Sequence, residues 1–180
     1  MKLQELLKNT KPLAIVGDVD VDITGVNIDS RKVKSGHLFV AMKGTQVDGH
    51  QFITKAIELG AKAVLCQDMP EAKAEGVTYV QVADTEDAAG KVATLFHGDP
   101  SHHLTLVGVT GTNGKTTTTF IIKKILEENG YKVGVIGTVE VVIGNEKYPA
   151  DYTTPDPAGL HKYLYMMKMA GCDVCIMETS

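Results

Sequence analysis

The sequence predicts an α/β protein of two successive units, the second built around a phosphate-type glycine loop and carrying a mainly parallel sheet. Three observations lead there. Short β-branched runs alternate with stretches of helical periodicity along the chain. Gly98-Asp99-Pro100-Ser101 interrupts that alternation near the middle, because glycine ends a helix and the residue before proline is pushed out of helical geometry. Finally, the apolar run Leu104–Val109 leads through Gly111-Thr112-Asn113-Gly114-Lys115-Thr116-Thr117 into the helical pattern Phe120–Leu126, a strand, loop and helix in succession. The expected domains are residues 1–98 and 102–180.

In the first domain, Met1–Leu7 starts as an amphipathic helix, and Leu13–Val16 and Ile23–Ile28 read as strands. Leu38–Met42 is a further strand, closed by Lys43-Gly44. Phe52, Ile53, Ala56, Ile57 and Leu59 have helical spacing with Gly60 as the stop. Ala63–Cys66 and Val77–Val82 return to strand, and Asp84 is placed to cap a helix running to about His97. In the second domain, Lys132–Gly137 is expected to be the parallel strand that follows the glycine-loop helix. Val139–Ile143 and Lys147-Tyr148 form a hairpin about Gly144-Asn145. A proline-rich loop, Pro149–Pro157, precedes a helix over 158–170 and a strand at Val174–Met177. With about three core strands the second sheet is small, and Glu178-Thr179-Ser180 ends where a parallel strand delivers its loop, so the chain reads as a piece of a longer protein.

Bulk composition narrows the function classes. The 43% hydrophobic residues suffice for packed cores, and the net charge of −4 with no basic cluster argues against a nucleic-acid face. No apolar run approaches the ~20 residues of a membrane span, and the N-terminus is not a signal peptide. Cys66, Cys172 and Cys175 are odd in number, which suits a reducing cytoplasm better than a disulfide framework. Cys172 and Cys175 have C-x-x-C spacing but lack a second ligand pair; on a strand they would point to opposite faces, so core packing is expected. His37 and His50 read as structural or surface residues, and His102-His103 as part of a solvated loop.

The glycine loop carries the chemistry. Its bare N–H groups, at the positive end of a helix, suit a polyphosphate, with Lys115 reaching the outer phosphates and the Thr116 hydroxyl available to Mg²⁺. ATP is the ligand these residues call for. The pattern is the short G-x-x-G-K-T; Val109 stands where the strict P-loop has its first glycine. No Ser-His-Asp or Cys-His arrangement accompanies it.

Taken together, Asp29-Ser30-Arg31, Gly36–Gly44, Asp48–Ile53, Gly60-Ala61, the glycine loop, Thr153-Thr154-Pro155 and Met177–Ser180 resemble the Mur ligase family over nearly the whole chain. These ATP-dependent enzymes add amino acids to the UDP-N-acetylmuramoyl peptide precursor of the bacterial cell wall. The glycine-loop wording and Thr-Thr-Pro favour the branch that forms the UDP-N-acetylmuramoyl-tripeptide (MurE) over the next one (MurF). The resemblance implies a uridine-binding N-terminal domain followed by part of a central ATPase domain, with a C-terminal amino-acid-binding domain and a carbamoylated lysine lying beyond Ser180.

The same resemblance implies that Ile28 and Ser30 line a uracil pocket, and that Thr45, Gln46 and Val47 lie beside the UDP. Gly111, Thr112, Asn113, Gly114, Lys115, Thr116 and Thr117 would hold ATP, with Lys115 the catalytic residue. Thr153, Thr154 and Ser180 would contact the muramoyl-dipeptide, and Glu178 with Thr116 would hold Mg²⁺. Two positions depart from the family: Tyr152 stands where asparagine is common, and Thr179 where valine is usual. The implied reaction activates the D-glutamate carboxylate as an acyl phosphate, which the amine of a diamino acid then displaces. The chain alone is expected to bind, as a monomer, and not to ligate. The alternatives are a MurF-type ligase, a generic P-loop NTPase or kinase without uridine preference, and a non-catalytic nucleotide-binding module.

Overall fold

The computed structural model describes residues 1–44, 47–150 and 153–179. It divides into two compact units, Met1–Phe96 and His97–Ser180. The first contains α1 (Leu3–Leu6), β1 (Ala14–Val16), β2 (Gly25–Asn27), β3 (His37–Val40), α2 (Ile53–Glu58), β4 (Ala63–Cys66), β5 (Thr78–Gln81) and α3 (Thr85–Phe96). Its five strands run in the order β1-β5-β4-β3-β2; β2 to β5 are parallel and β1 pairs antiparallel with β5.

Strand alternation divides the interior into two layers. Leu38, Val40, Ala63, Leu65 and Val80 face Leu3, Leu6 and the buried stripe Ala88, Ala89 and Val92 of α3. Phe39, Val64, Cys66 and Tyr79 face Ile53 and Ala56 of α2. The expected cap of α3 is present: the Asp84 carboxylate accepts from the N–H groups of Glu86 at 2.8 Å and Asp87 at 3.1 Å.

The second unit contains β6 (Thr105–Thr110), α4 (Lys115–Glu128), β7 (Val133–Ile136), β8 (Glu140–Ile143), β9 (Glu146–Pro149), α5 (Pro157–Met169) and β10 (Val174–Thr179). The sheet order is β6-β10-β7-β8-β9, with β10 parallel to both its neighbours and β7-β8-β9 antiparallel. Thus β10, last in sequence, fills the gap between β6 and β7. One face packs on Leu164 and Met167 of α5, and the other brings Val133, Val174 and Ile176 against Ile122 and Leu126 of α4. At Gly134 a Cβ would lie 2.4 Å from Met167 Sδ, so a larger residue there would displace the Met167 side chain that seats α5 on β7.

Two expectations are corrected. Helix α4 begins at Lys115, five residues before the apolar pattern does, so Lys115, Thr116 and Thr117 form its first turn. Cys172 and Cys175 do not occupy opposite faces: β10 begins only at Val174, and both thiols join the α5 cluster. Core packing is nonetheless their role. Burial pushes the Cys175 thiol up to about 12 and that of Cys66 to about 11, leaving both protonated and inert.

Candidate functional site

The parallel arrangement of β6, β10 and β7 decides what meets at one sheet edge. Register pairs Glu178 with Val109 and Met177 with Ile136. The C-terminal ends of the three strands therefore deliver the glycine loop, Glu178 and Gly137-Thr138 to the same edge, the usual ligand side of an α/β sheet. A cleft of about 370 Å³ lies there, lined by Thr112 to Thr117, Thr138, Val139 and Glu178.

Gly114 caps α4 in the left-handed region at φ 78°, with open space around its α-carbon, so backbone conformation rather than packing demands glycine. No side chain caps the helix. Its first-turn N–H groups lack intrahelical acceptors and sit where the partial positive charge of the helix is greatest. Lys115 folds back over the loop, its Nζ donating to Gly111 O at 2.7 Å. Thr119, fully buried, donates to Lys115 O at 2.8 Å and ties the first turn down from below.

Glu178 is fully buried at the base of this cleft. Thr116 Oγ1 donates to its Oε2 at 3.1 Å, Thr138 Oγ1 donates to the same oxygen at 2.8 Å, and Thr138 N donates to Oε1 at 3.4 Å. Among the described residues no basic side chain pairs with it. A buried carboxylate held only by neutral donors retains unmet demand for positive charge. The predicted pair Thr116 and Glu178 is thus in contact. Sequence reasoning passed over Thr138, a lone threonine after a glycine whose partner lies 40 residues away. No cluster of three or more His, Cys, Asp or Glu suited to a metal exists among the described residues. Oxygen donors at a helix N-terminus beside a buried carboxylate do suit a hard cation carried by a polyphosphate.

In the first unit, β2 and β3 are parallel neighbours, which puts the segments following them at one edge. After β2, Ile28 is half-buried against the core and Ser30 is buried at the start of a 3₁₀ turn, Ser30–Lys32. Asp29 caps that turn, accepting from Arg31 N at 3.0 Å and from the guanidinium at 2.9 and 2.8 Å; these bonds hold its carboxyl below the usual carboxylate range. After β3, Val47 is 53% exposed and its carbonyl accepts from Gly44 N at 3.1 Å. Thr45 and Gln46 lie outside the described residues, as does Ser180.

His50 secures this edge. Its Nδ1 lies 2.6 Å from Asp48 Oδ1, and its Nε2 accepts from Gln67 N at 3.0 Å and Asp68 N at 3.1 Å. Both ring nitrogens are thus spent on structure, as expected. Thr153 and Thr154 are half-buried before α5 and do not line the cleft at the glycine loop.

Two family models match this chain: the "Mur ligase family, catalytic domain" over residues 22–97, and the "Mur ligase middle domain" over 109–180. The chain belongs to the Mur ligase family. It is 54% identical over 180 residues to the UDP-N-acetylmuramoyl-L-alanyl-D-glutamate–2,6-diaminopimelate ligase of Bacteroides fragilis, covering 100% of this chain and 37% of that protein. The chain therefore spans a little over a third of the length of such Mur ligases.

Among solved structures, a UDP-N-acetylmuramoyl-L-alanyl-D-glutamate–2,6-diaminopimelate ligase superposes with a TM-score of 0.77 at 24% identity, over 100% of this chain and 36% of that one. The MurF ligase of Thermotoga maritima, solved in complex with ADP, superposes with a TM-score of 0.58 at 26% identity, over 91% of this chain and 33% of that one. Both Mur ligase structures share the two-sheet α/β fold expected from the sequence. No helix among the described residues is long and apolar enough to cross a membrane.

Proposed function

We propose that this chain supplies the uridine-substrate and ATP portions of a ligase that adds a diamino acid to UDP-N-acetylmuramoyl-L-alanyl-D-glutamate in cell-wall synthesis. The observation that carries the ATP half is the contact of Thr116 with the buried Glu178 in front of the uncapped N-terminus of α4. The relatives' printed activity and full-length coverage of this chain support the rest. The reading puts the protein in the cytoplasm as a monomer, with residues 1–98 as the uridine domain and 102–180 as part of the ATPase domain.

The residues that would hold the nucleotide are Gly111 to Thr117, with Thr116 and Glu178 holding Mg²⁺. Bound there, MgATP supplies an electrophilic γ-phosphoryl group, the activation that a carboxylate needs before an amine can replace one of its oxygens. The chain's own work is placement and charge. First-turn N–H groups of α4 fix phosphate oxygens, and Lys115 exchanges its bond to Gly111 O for one to a phosphate, offsetting developing charge. The Thr116 hydroxyl spends its single proton on Glu178 and keeps both lone pairs for the cation. In the first unit, Ile28, Ser30 and the segment Thr45, Gln46 and Val47 would receive the uridine diphosphate, while Thr153, Thr154 and Ser180 would contact the muramoyl-dipeptide.

Calorimetry tests both halves on this chain. Saturable binding of UDP-N-acetylmuramoyl-L-Ala-D-Glu, together with Mg²⁺-dependent binding of a non-hydrolysable ATP analogue that Lys115→Ala weakens at least about ten-fold, is the expected result. Nucleotide binding by a folded chain that ignores the uridine ligand would favour a generic P-loop NTPase. No nucleotide binding at all would overturn the assignment of the glycine loop.

A further inference from the structure

Gly137 and Thr138, which follow β7, both meet the Glu178 carboxylate. A Cβ on residue 137 would stand 2.8 Å from Glu178 Oε1, so any larger residue there would make the carboxylate shift. Thr138 then contacts both carboxylate oxygens, through its N–H at 3.4 Å and its hydroxyl at 2.8 Å, the shorter of the two hydroxyl contacts to Oε2. Thr138 itself is exposed and adds nothing to the core. Without its hydroxyl, Glu178 would be left with Thr116 as its one side-chain donor among the described residues and would turn to recruit another.

We propose that Thr138 is a positioning residue for the nucleotide-bound cation: it sets the Glu178 carboxylate, which in turn aims the Thr116 hydroxyl, with Gly137 providing the room. Donors that orient a ligating carboxylate from behind typically change cation affinity by about 10- to 100-fold when removed. The inference rests on the reading of Thr116 and Glu178 as the cation-holding pair, and the experiment separates the two.

The test titrates Mg²⁺ against this chain at a fixed concentration of adenylyl imidodiphosphate, by calorimetry, for the parent, Thr138→Val, Thr138→Ser and Glu178→Gln. Thermal melting accompanies each variant. Thr138→Val should raise the Mg²⁺ midpoint about ten-fold, a larger change than in its Mg²⁺-free nucleotide affinity, with thermal melting showing that the variant is folded at the temperature of the titration. Thr138→Ser, which keeps the hydroxyl, should restore the parent midpoint. An unchanged or lowered midpoint in Thr138→Val, with Glu178→Gln raised, would overturn the role of Thr138 and leave the cation pair standing. Failure of Thr138→Ser to restore the midpoint would also overturn it. A midpoint unmoved by Glu178→Gln would remove the cation pair itself, and the proposal with it.

Discussion

In the first unit the inner strands β3, β4 and β5 are buried along nearly their whole length, whereas in the second the strand that leads into the glycine loop, β6, alternates between exposed and half-buried. The helices differ in the same sense. α3 buries Thr85, Ala88, Ala89, Val92 and Ala93, while α4, which carries Lys115 and Thr116, buries only Thr119. Ile121 and Ile125 of α4 remain 54% and 56% exposed. Apolar burial is the main favourable term in folding, so the first unit owes its order to its two core layers. The strand-loop-helix of the second has fewer such contacts within this chain, which spans a little over a third of its relatives' length. A nucleotide at 100 times its Kd would add about 2.7 kcal/mol by mass action, a large increment for such a unit.

The sharpest way to break this comparison is a matched pair of truncations. Phe39→Ala removes a fully buried ring between β3 and α2 and should cost about 3–5 kcal/mol, followed by urea unfolding with a probe in residues 1–96. Ile121→Ala, on the open face of α4, should change stability by no more than about 0.5 kcal/mol. Similar losses from both would show that α4 is as tightly packed as β3.

Packing in the second unit is concentrated on α5, and Gly134→Ala probes it. The added methyl meets Met167 Sδ at 2.4 Å, so a loss of about 1–3 kcal/mol is expected from overpacking, confined to residues 97–180 in hydrogen exchange. A neutral result would mean that Met167 moves aside freely and that the α5 face is no firmer than the α4 face.

The smallest effect is one of pH. Burial holds the imidazoles of His97 and His161 below their ordinary range, helped for His97 by neighbouring His161 and Lys162 and opposed for His161 by Asp99. In the first unit burial lowers His37 in the same direction. Each folded value lies below the unfolded one, so the unfolded chain takes up protons first as the solution is acidified. The contribution is therefore complete above about pH 6.5 and is lost as pH falls through the folded values. Two such residues against one should make the second unit lose stability faster between about pH 7 and 5, read from site-resolved hydrogen exchange. Asp29, lowered by Arg31, acts only further down, below the ordinary carboxylate range.

Much of the fold was legible because its signals are local. β-branched runs, the Asp84 cap and the glycine stops each report on a few neighbouring residues, and most predicted elements lie within a few residues of those observed. The antiparallel placement of β1 beside β5 and the insertion of β10 between β6 and β7 had no local mark. They arise from pairing across the chain. The same distinction runs through the candidate site. Gly111 to Thr117 was readable as a contiguous motif, and Thr116 with Glu178 followed from family resemblance. Thr138 was not readable, because only the parallel pairing of β10 with β7 brings it to Glu178. Cys172 and Cys175 were misassigned to opposite faces because the start of β10, two residues later than the spacing argument needs, cannot be located from an apolar run.

Hydrogen exchange with mass spectrometry on this chain, with and without each ligand, tests most directly whether the two units hold separate sites. The Mg²⁺ complex of adenylyl imidodiphosphate should protect 111–119, 137–139 and 176–179 and leave 1–96 unchanged. UDP-N-acetylmuramoyl-L-Ala-D-Glu should protect the segments after β2 and β3, around 28–33 and 41–48, through its uridine diphosphate, and 153–155 through its dipeptide. Nucleotide protection appearing in the first unit, or none at the glycine loop of a chain that binds nucleotide, would contradict the assignment of the ATP site to the edge formed by β6, β10 and β7.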